Sequence, residues 1–234
     1  MDDGLAGVLP ANAAAHRQRT GRPLVTVSYA QTLDGCLTLR RGEPAPVSGE
    51  ASMRLTHQLR AAHDAILVGI GTVLSDDPRL TVRLVDGPNP QPIVVDSHLR
   101  FPLGANLATH PRGVWIATTD AAGDTRRVAL AEAGARFLVL SVDSNGHVDL
   151  RALLVHLGEL GIDSLMVEGG ASIITSFLRL GLADRAVITI APSFAGGYHA
   201  VQPLKIDHWN HLPRLRAMQA APVGSDLVVW GDLR

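Results

Sequence analysis

Two kinds of apolar spacing alternate along this chain. Short runs dense in Val, Ile, Leu and Ala recur at 24–30, 65–70, 92–96, 113–118, 136–140, 164–168, 185–191 and 227–230. Their length and β-branched content predict strands. Helical spacing covers 50–63, 124–132, 150–160 and 171–180,. Such alternation predicts an α/β fold with a mainly parallel central sheet and helices on both faces. No helical pattern separates the last two strands, so they are expected to pair antiparallel at a C-terminal edge. Residues 1–22, rich in Ala, Gly and polar groups, read as an N-terminal tail, and 23–234 as a single domain,. The stretch 198–224, with Pro203, Pro213 and Pro222, reads as an irregular excursion before the last strand,.

Several strands run into turn chemistry: Gly69-Ile70-Gly71-Thr72, Asp96-Ser97 and Glu168-Gly169-Gly170. In open parallel sheets ligands lie at the carboxyl ends of strands, so these turns are expected to converge on one cleft. The last is the most informative. An apolar run ends on a carboxylate, passes two glycines and enters a helix at Ala171. Glycines let backbone approach a ligand closely, and a helix N-terminus offers free N–H groups to phosphate. Glu168, at the same strand end, is positioned to meet a second, polar ligand.

Composition narrows the chemistry. The chain has 234 residues, 46% hydrophobic and 18% charged, enough for a substantial core,. A formal net charge of −1 and 4% aromatics argue against nucleic-acid binding,. One cysteine, Cys36, excludes an intrachain disulfide and a cysteine-based zinc site,. The ten histidines form no metal-ligand spacing, so no metal is expected,. No apolar stretch reaches the roughly 18 residues of a membrane span, and the N-terminus does not read as a signal peptide. A cytoplasmic protein is expected.

Other motifs admit two readings. Gly69 to Leu74 resembles the start of a dinucleotide fingerprint, but Leu74 stands where a third glycine belongs, and a plain tight turn fits as well,. Arg79 and Arg83, after Asp76-Asp77-Pro78, suit either loop chemistry or bidentate phosphate binding,. Arg60 and His63 close a predicted helix, where cations complement the dipole,.

Taken together, three segments resemble a known family. They are Pro23 to Gly35, Leu59 to Arg83, and Val167 to Ala171 followed by Ile190-Ala191-Pro192 and Gly196-Gly197. The family is the pyrimidine reductase of riboflavin biosynthesis, also found as the C-terminal half of a bifunctional deaminase-reductase. The resemblance implies a dihydrofolate-reductase-like fold, a homodimer, and NADPH-dependent reduction of a ribosylaminopyrimidine 5′-phosphate to its ribitylamino product. In that reaction the sugar opens to an imine, which hydride then reduces.

The resemblance implies NADPH contacts at Ala30, Thr72, Asp76, Ser97, Gly170, Ala171, Ser172, Ile173, Ile174, Thr175 and Ser176. It implies substrate contacts at Arg60, Leu80, Arg83 and Glu168, with both arginines on the phosphate and Glu168 the best catalytic candidate. Ser97, His98 and Arg100, or Thr118 and Thr119, are candidates for the cofactor 2′-phosphate. Pro44 and Pro46 stand where the bifunctional enzymes carry a serine and a tryptophan, and Ser28 stands where they carry a lysine. No zinc deaminase is expected before Pro23, so a stand-alone reductase is implied. The diamino and deaminated pyrimidines both remain open as substrate. The rivals are a pterin or dihydrofolate reductase of the same fold and a non-catalytic nucleotide-binding protein.

Overall fold

The structure, a computed structural model, describes residues 7–233. Its elements run α1 (Ala13–Thr20), β1 (Leu24–Thr32), β2 (Cys36–Thr38), α2 (Glu50–Ala62), β3 (Ala65–Gly69), α3 (Ile70–Asp76), β4 (Gln91–Val95) and β5 (Trp115–Thr118). There follow α4 (Asp124–Glu132), β6 (Arg136–Val139), α5 (Leu150–Glu159), β7 (Ser164–Val167), α6 (Ala171–Arg179), β8 (Arg185–Ala191), β9 (Tyr198–His199), β10 (Leu215–Val223) and β11 (Asp226–Leu233).

One sheet has the order β10-β11-β8-β1-β7-β3-β4-β5-β6. From β8 to β6 the neighbours are parallel. β11 joins β8 antiparallel, and β10 joins β11 antiparallel, which forms the C-terminal edge. All five residues of β3 are buried, as a central parallel strand covered on both faces requires,. Alternate side chains feed two cores. Ile66 and Val68 pack in a cluster with Leu55 and Leu59 of α2, while Ala65 and Leu67 belong to a second with Leu153 and Leu154 of α5 and Phe177 of α6. On α5 the buried Leu150, Leu153, Leu154 and Leu157 draw one apolar stripe,. The Asp149 carboxylate caps that helix by accepting from the Arg151 N–H at 2.8 Å.

Three segments differ from the sequence expectation. The lead-in holds a helix, α1, and Val8 is fully buried. No residue of α1 is buried, so it has no apolar stripe to reveal it. Its own Arg17 pairs with Asp163 at 2.5 Å, and the flanking chain is fixed by Arg22, which pairs bidentately with Asp184 at 2.7 Å, and by Arg185, which donates to the Leu9 carbonyl at 2.7 Å. The turn after β3 is a seven-residue helix, α3, with only Ile70 and Val73 buried. The excursion 198–224 contains β9 and the nine-residue β10. β10 is exposed along most of its length and lacks the alternation that marks a half-buried strand,.

Candidate active site

The carboxyl ends of β1, β7, β3 and β4 open on a cleft of about 1430 Å³. β7 sits between β1 and β3, so Glu168 and the diglycine bend emerge at its centre. Gly69 ends β3 against α6. A Cβ there would lie 2.6 Å from Ile173 Cγ1, so glycine is what allows the helix to sit on the strand. The Thr72 hydroxyl accepts the Gly170 N–H at 2.8 Å and ties the bend to α3. The Ile173 and Ile174 N–H groups both turn to the Gly170 carbonyl. Those of Ala171 and Ser172 find no acceptor among the described residues. Two free donors at a helix N-terminus suit a phosphate.

Beside the bend, Arg60 of α2 grips Glu168 bidentately. Its Nε donates at 2.9 Å to one carboxylate oxygen, and an Nη donates to the other. The remaining Nη donates to the Thr81 carbonyl at 3.2 Å. Arg60 is 7% exposed. Burial acts to lower its pKa, and the Glu168 charge and hydrogen bonds more than reverse this. Arg83 donates to Thr81 Oγ1 at 2.7 Å, and its own N–H is accepted by His57 Nδ1 at 2.8 Å. Burial first, then Arg60 and Arg79, pull the Arg83 guanidinium below its usual value. Burial, with Arg60 and Arg83, pushes His57 down to about 4, so it is neutral at pH 7. Leu80, 2% exposed, takes a left-handed backbone (φ 52°), a strained conformation for this residue,.

Most residues singled out from the sequence meet here. Ala30, Thr72, Asp76, Ser97, Gly170, Ala171, Ser172, Ile173 and Ser176 line the cleft, as do Arg60, Leu80 and Glu168. Three do not. Ile174 is fully buried in the core. Thr175 turns its hydroxyl away to accept the Gln202 N–H at 2.9 Å. Arg83 stands beside the cleft wall, folded back on Thr81. Arg60 is not a free cation for phosphate, because Glu168 occupies it. Thr118 and Thr119 are fully buried and off the cleft, whereas His98 and Arg100 line it.

The structure adds Tyr29 and the turn from Asp143 to Asp149, which the sequence reading did not assign to the site, and places Ser28, Pro44 and Pro46 there. Ser28 and Tyr29 line the cleft floor, and burial raises the Tyr29 phenol to about 12. The turn from Asp143 to Asp149 forms one rim; its Asn145-Gly146 pair is a turn signal, but nothing local ties it to the site. The loop holding Pro44 and Pro46 also lines the cleft. The segments Asp34-Gly35 and Gly196-Gly197, far apart in sequence, also meet. The Asp34 carboxylate accepts the Thr32 hydroxyl and the Ala195 and Gly196 N–H groups, which together hold it well below the usual carboxylate range. A Cβ on Gly197 would collide with the Thr38 carbonyl. Among the described residues no helix is long and apolar enough to cross a membrane.

Comparison with known proteins agrees with this geometry. The model of the RibD C-terminal domain matches residues 23–229. A 2,5-diamino-6-ribosylamino-4(3H)-pyrimidinone 5′-phosphate reductase of Methanothermobacter thermautotrophicus is 39% identical over 89% of this chain and 97% of its own length. The RibD structure of Acinetobacter baumannii superposes with a TM-score of 0.84 at 24% identity, over 95% of this chain but 61% of that one. An Enterococcus faecalis dihydrofolate reductase superposes at 0.51 with 13% identity, over 89% of this chain and 96% of that one. The fold is α/β and dihydrofolate-reductase-like, as the sequence implied.

Proposed function

This chain belongs to the RibD C-terminal domain family, and we propose that residues 23–234 form one NADPH-dependent reductase domain of riboflavin biosynthesis. Its substrate on this reading is a ribosylaminopyrimidine 5′-phosphate and its product the ribitylamino compound. One observation carries the reading: the Arg60–Glu168 pair and the free N–H groups of Ala171 and Ser172 share a single cleft. Pockets for one small ligand span about 300–1,000 Å³. At about 1430 Å³ this cleft has room for a dinucleotide and a second ligand together.

The residues present fit a dinucleotide. The α6 N-terminus offers donors for its pyrophosphate, and Gly69 lets that helix approach β3. Thr72, Asp76 and Ala30 line the same cleft and would be further contacts of the dinucleotide. Ser97, His98 and Arg100 are the candidates for the 2′-phosphate. The Ser97 hydroxyl already accepts the Val148 N–H at 3.0 Å, so His98 and Arg100 are the better anion partners. When bound, the reduced nicotinamide supplies the hydride. Glu168 places a carboxylate where positive charge grows on the opened sugar nitrogen, and Arg60 holds that carboxylate in one orientation,. Of Arg60 and Arg83, only Arg83 is not engaged by a carboxylate, and it is the one we assign to the substrate phosphate.

We further assign a cytoplasmic homodimer. The exposed edge strand β10, with Met218 63% exposed, and Leu227 of β11, 43% exposed, supply an apolar surface suited to a second copy,. The test of the reaction is NADPH oxidation with the diamino pyrimidine phosphate, its deaminated form and dihydrofolate offered separately. Turnover is expected with a pyrimidine phosphate. Turnover with dihydrofolate alone assigns the chain to the pterin reductases, and none with any of the three leaves a nucleotide-binding protein.

A further inference from the structure

Residues Leu80 to Leu84 carry the site beyond the cleft wall, yet they belong to no helix or strand. Side chains from elsewhere satisfy their backbone. The Val82 N–H is accepted by Asn89 Oδ1 at 2.7 Å and the Arg83 N–H by His57 Nδ1 at 2.8 Å. The Thr81 carbonyl accepts from Arg60 at 3.2 Å and from Arg83 at 3.3 Å. His57 and Arg60 lie three apart on α2, on one face,. One helix face therefore holds Glu168 through Arg60 and the backbone of Arg83 through His57.

His57 is 1% exposed. Its Nδ1 accepts, so in the neutral ring the proton sits on Nε2. Burial keeps the ring neutral, which keeps that lone pair available. A ring there for packing alone would need no acceptor aimed at an irregular segment.

Resting on the proposed reaction, we infer that His57 is a positioning residue: its Nδ1 fixes the Arg83 backbone and so aims the Arg83 guanidinium at the substrate phosphate. His57 touches neither substrate nor cofactor. It sets substrate affinity through the segment it suspends.

The isosteres separate this from a packing role. In His57→Asn the amide oxygen stands close to where Nδ1 stood. In His57→Gln the oxygen falls near Nε2 instead. His57→Phe keeps the ring shape and removes the acceptor. KM for whichever pyrimidine phosphate the wild type turns over, the diamino or the deaminated form, should rise roughly tenfold in the Phe and Gln variants, the worth of one buried hydrogen bond. Their kcat should hold within about threefold, and Kd for NADPH should not move. The Asn variant should stay within about twofold of wild type in KM. Amide exchange at Arg83, read without substrate, should quicken in the Phe and Gln variants only. Turnover by wild type with an unchanged KM in His57→Phe overturns this inference alone, as does an Asn variant no better than Phe. Absence of turnover by wild type with both the diamino and the deaminated pyrimidine phosphate overturns the proposed reaction, and this inference with it.

Discussion

Replacing Gly69 by Ala tests whether the fit of α6 on β3 carries the cofactor site. The backbone at Gly69 (φ −81°, ψ 154°) suits any residue, so no conformational strain enters,. Shortening the list of unfolded conformations would by itself stabilise the variant by about 0.4–1 kcal/mol. Opposing this, the new methyl lies 2.6 Å from Ile173 Cγ1, about 1 Å inside the optimum for two carbons,. Overpacking of this kind costs about 1–3 kcal/mol. The clash wins, and Tm should fall by roughly 2–8 °C in a chain of this size. Ile173 is the third residue of α6, so relief of the clash moves the free N–H groups of Ala171 and Ser172. Kd for NADPH should rise about three- to tenfold.

Two controls sharpen the test. Gly71 lies within α3, and a Cβ there meets nothing within 4 Å. Gly71→Ala should therefore be stabilising, by about 0.5–1 kcal/mol. Rescue of Gly69→Ala follows the atom that clashes. Ile173→Val keeps a γ-carbon at the contact and should not rescue, whereas Ile173→Ala removes it. In a double-mutant cycle by urea denaturation, Ile173→Ala should recover at least about 1 kcal/mol of coupling with Gly69→Ala. A Gly69→Ala protein as stable as wild type, or equal rescue by Val and Ala, would refute the reasoning.

Other tests address the ion pair, the bend and pH. Glu168→Ala leaves Arg60 buried without its partner, so stability should fall by about 3 kcal/mol and turnover about a hundredfold or more; unchanged turnover removes Glu168 from the chemistry. Thr72→Val keeps the side-chain shape but removes the acceptor of the Gly170 N–H, and calorimetry should find about 1–2 kcal/mol less stability together with weaker NADPH binding,. His63 donates from Nδ1 to the Leu59 carbonyl at 2.7 Å and accepts the Thr26 hydroxyl at Nε2, and burial pushes its pKa from 6.5 down to about 4. Unfolded chains then take up the proton first as pH falls, so stability is full above about pH 6.5 and declines by about 3 kcal/mol toward pH 4; a His63→Gln variant whose stability has the same pH slope would remove His63 as the cause.

Legibility in the sequence followed burial. α5 shows its stripe of Leu150, Leu153, Leu154 and Leu157, and β3 is apolar throughout, so both could be read directly. α1, α3 and β10 could not. α1 buries nothing and is held by ion pairs to Asp163 and Asp184, which no local pattern encodes. α3 is too short to display a period, and β10 presents both faces to solvent. In the site, the α6 bend was legible because an apolar run, two glycines and a helix are adjacent in the chain. The pairing of Arg60 with Glu168 spans 108 residues and no local pattern shows it, and the reading from the resemblance put both arginines on phosphate. His57 carried no signal, since its partner is a backbone N–H.

That pairing changes how charge is distributed in the site. Arg60 and Glu168 cancel one another as a unit, and what they add is orientation. Of the two arginines first assigned to phosphate, Arg83 is the one that keeps a free charge, with Arg79 nearby. Burial first, then Arg60 and Arg79, lower the Arg83 pKa from its ordinary value, while the guanidinium remains charged,. A phosphate placed beside Arg83 would offset the unfavourable charge of Arg60 and Arg79 on it, though not the larger effect of burial,. Arg60 cannot serve in this way without abandoning Glu168, which would leave that carboxylate without the partner that orients it for the role proposed above. Division of labour between the two arginines is therefore built into their surroundings: one faces inward to a carboxylate, and the other is held by a neutral imidazole at the rim.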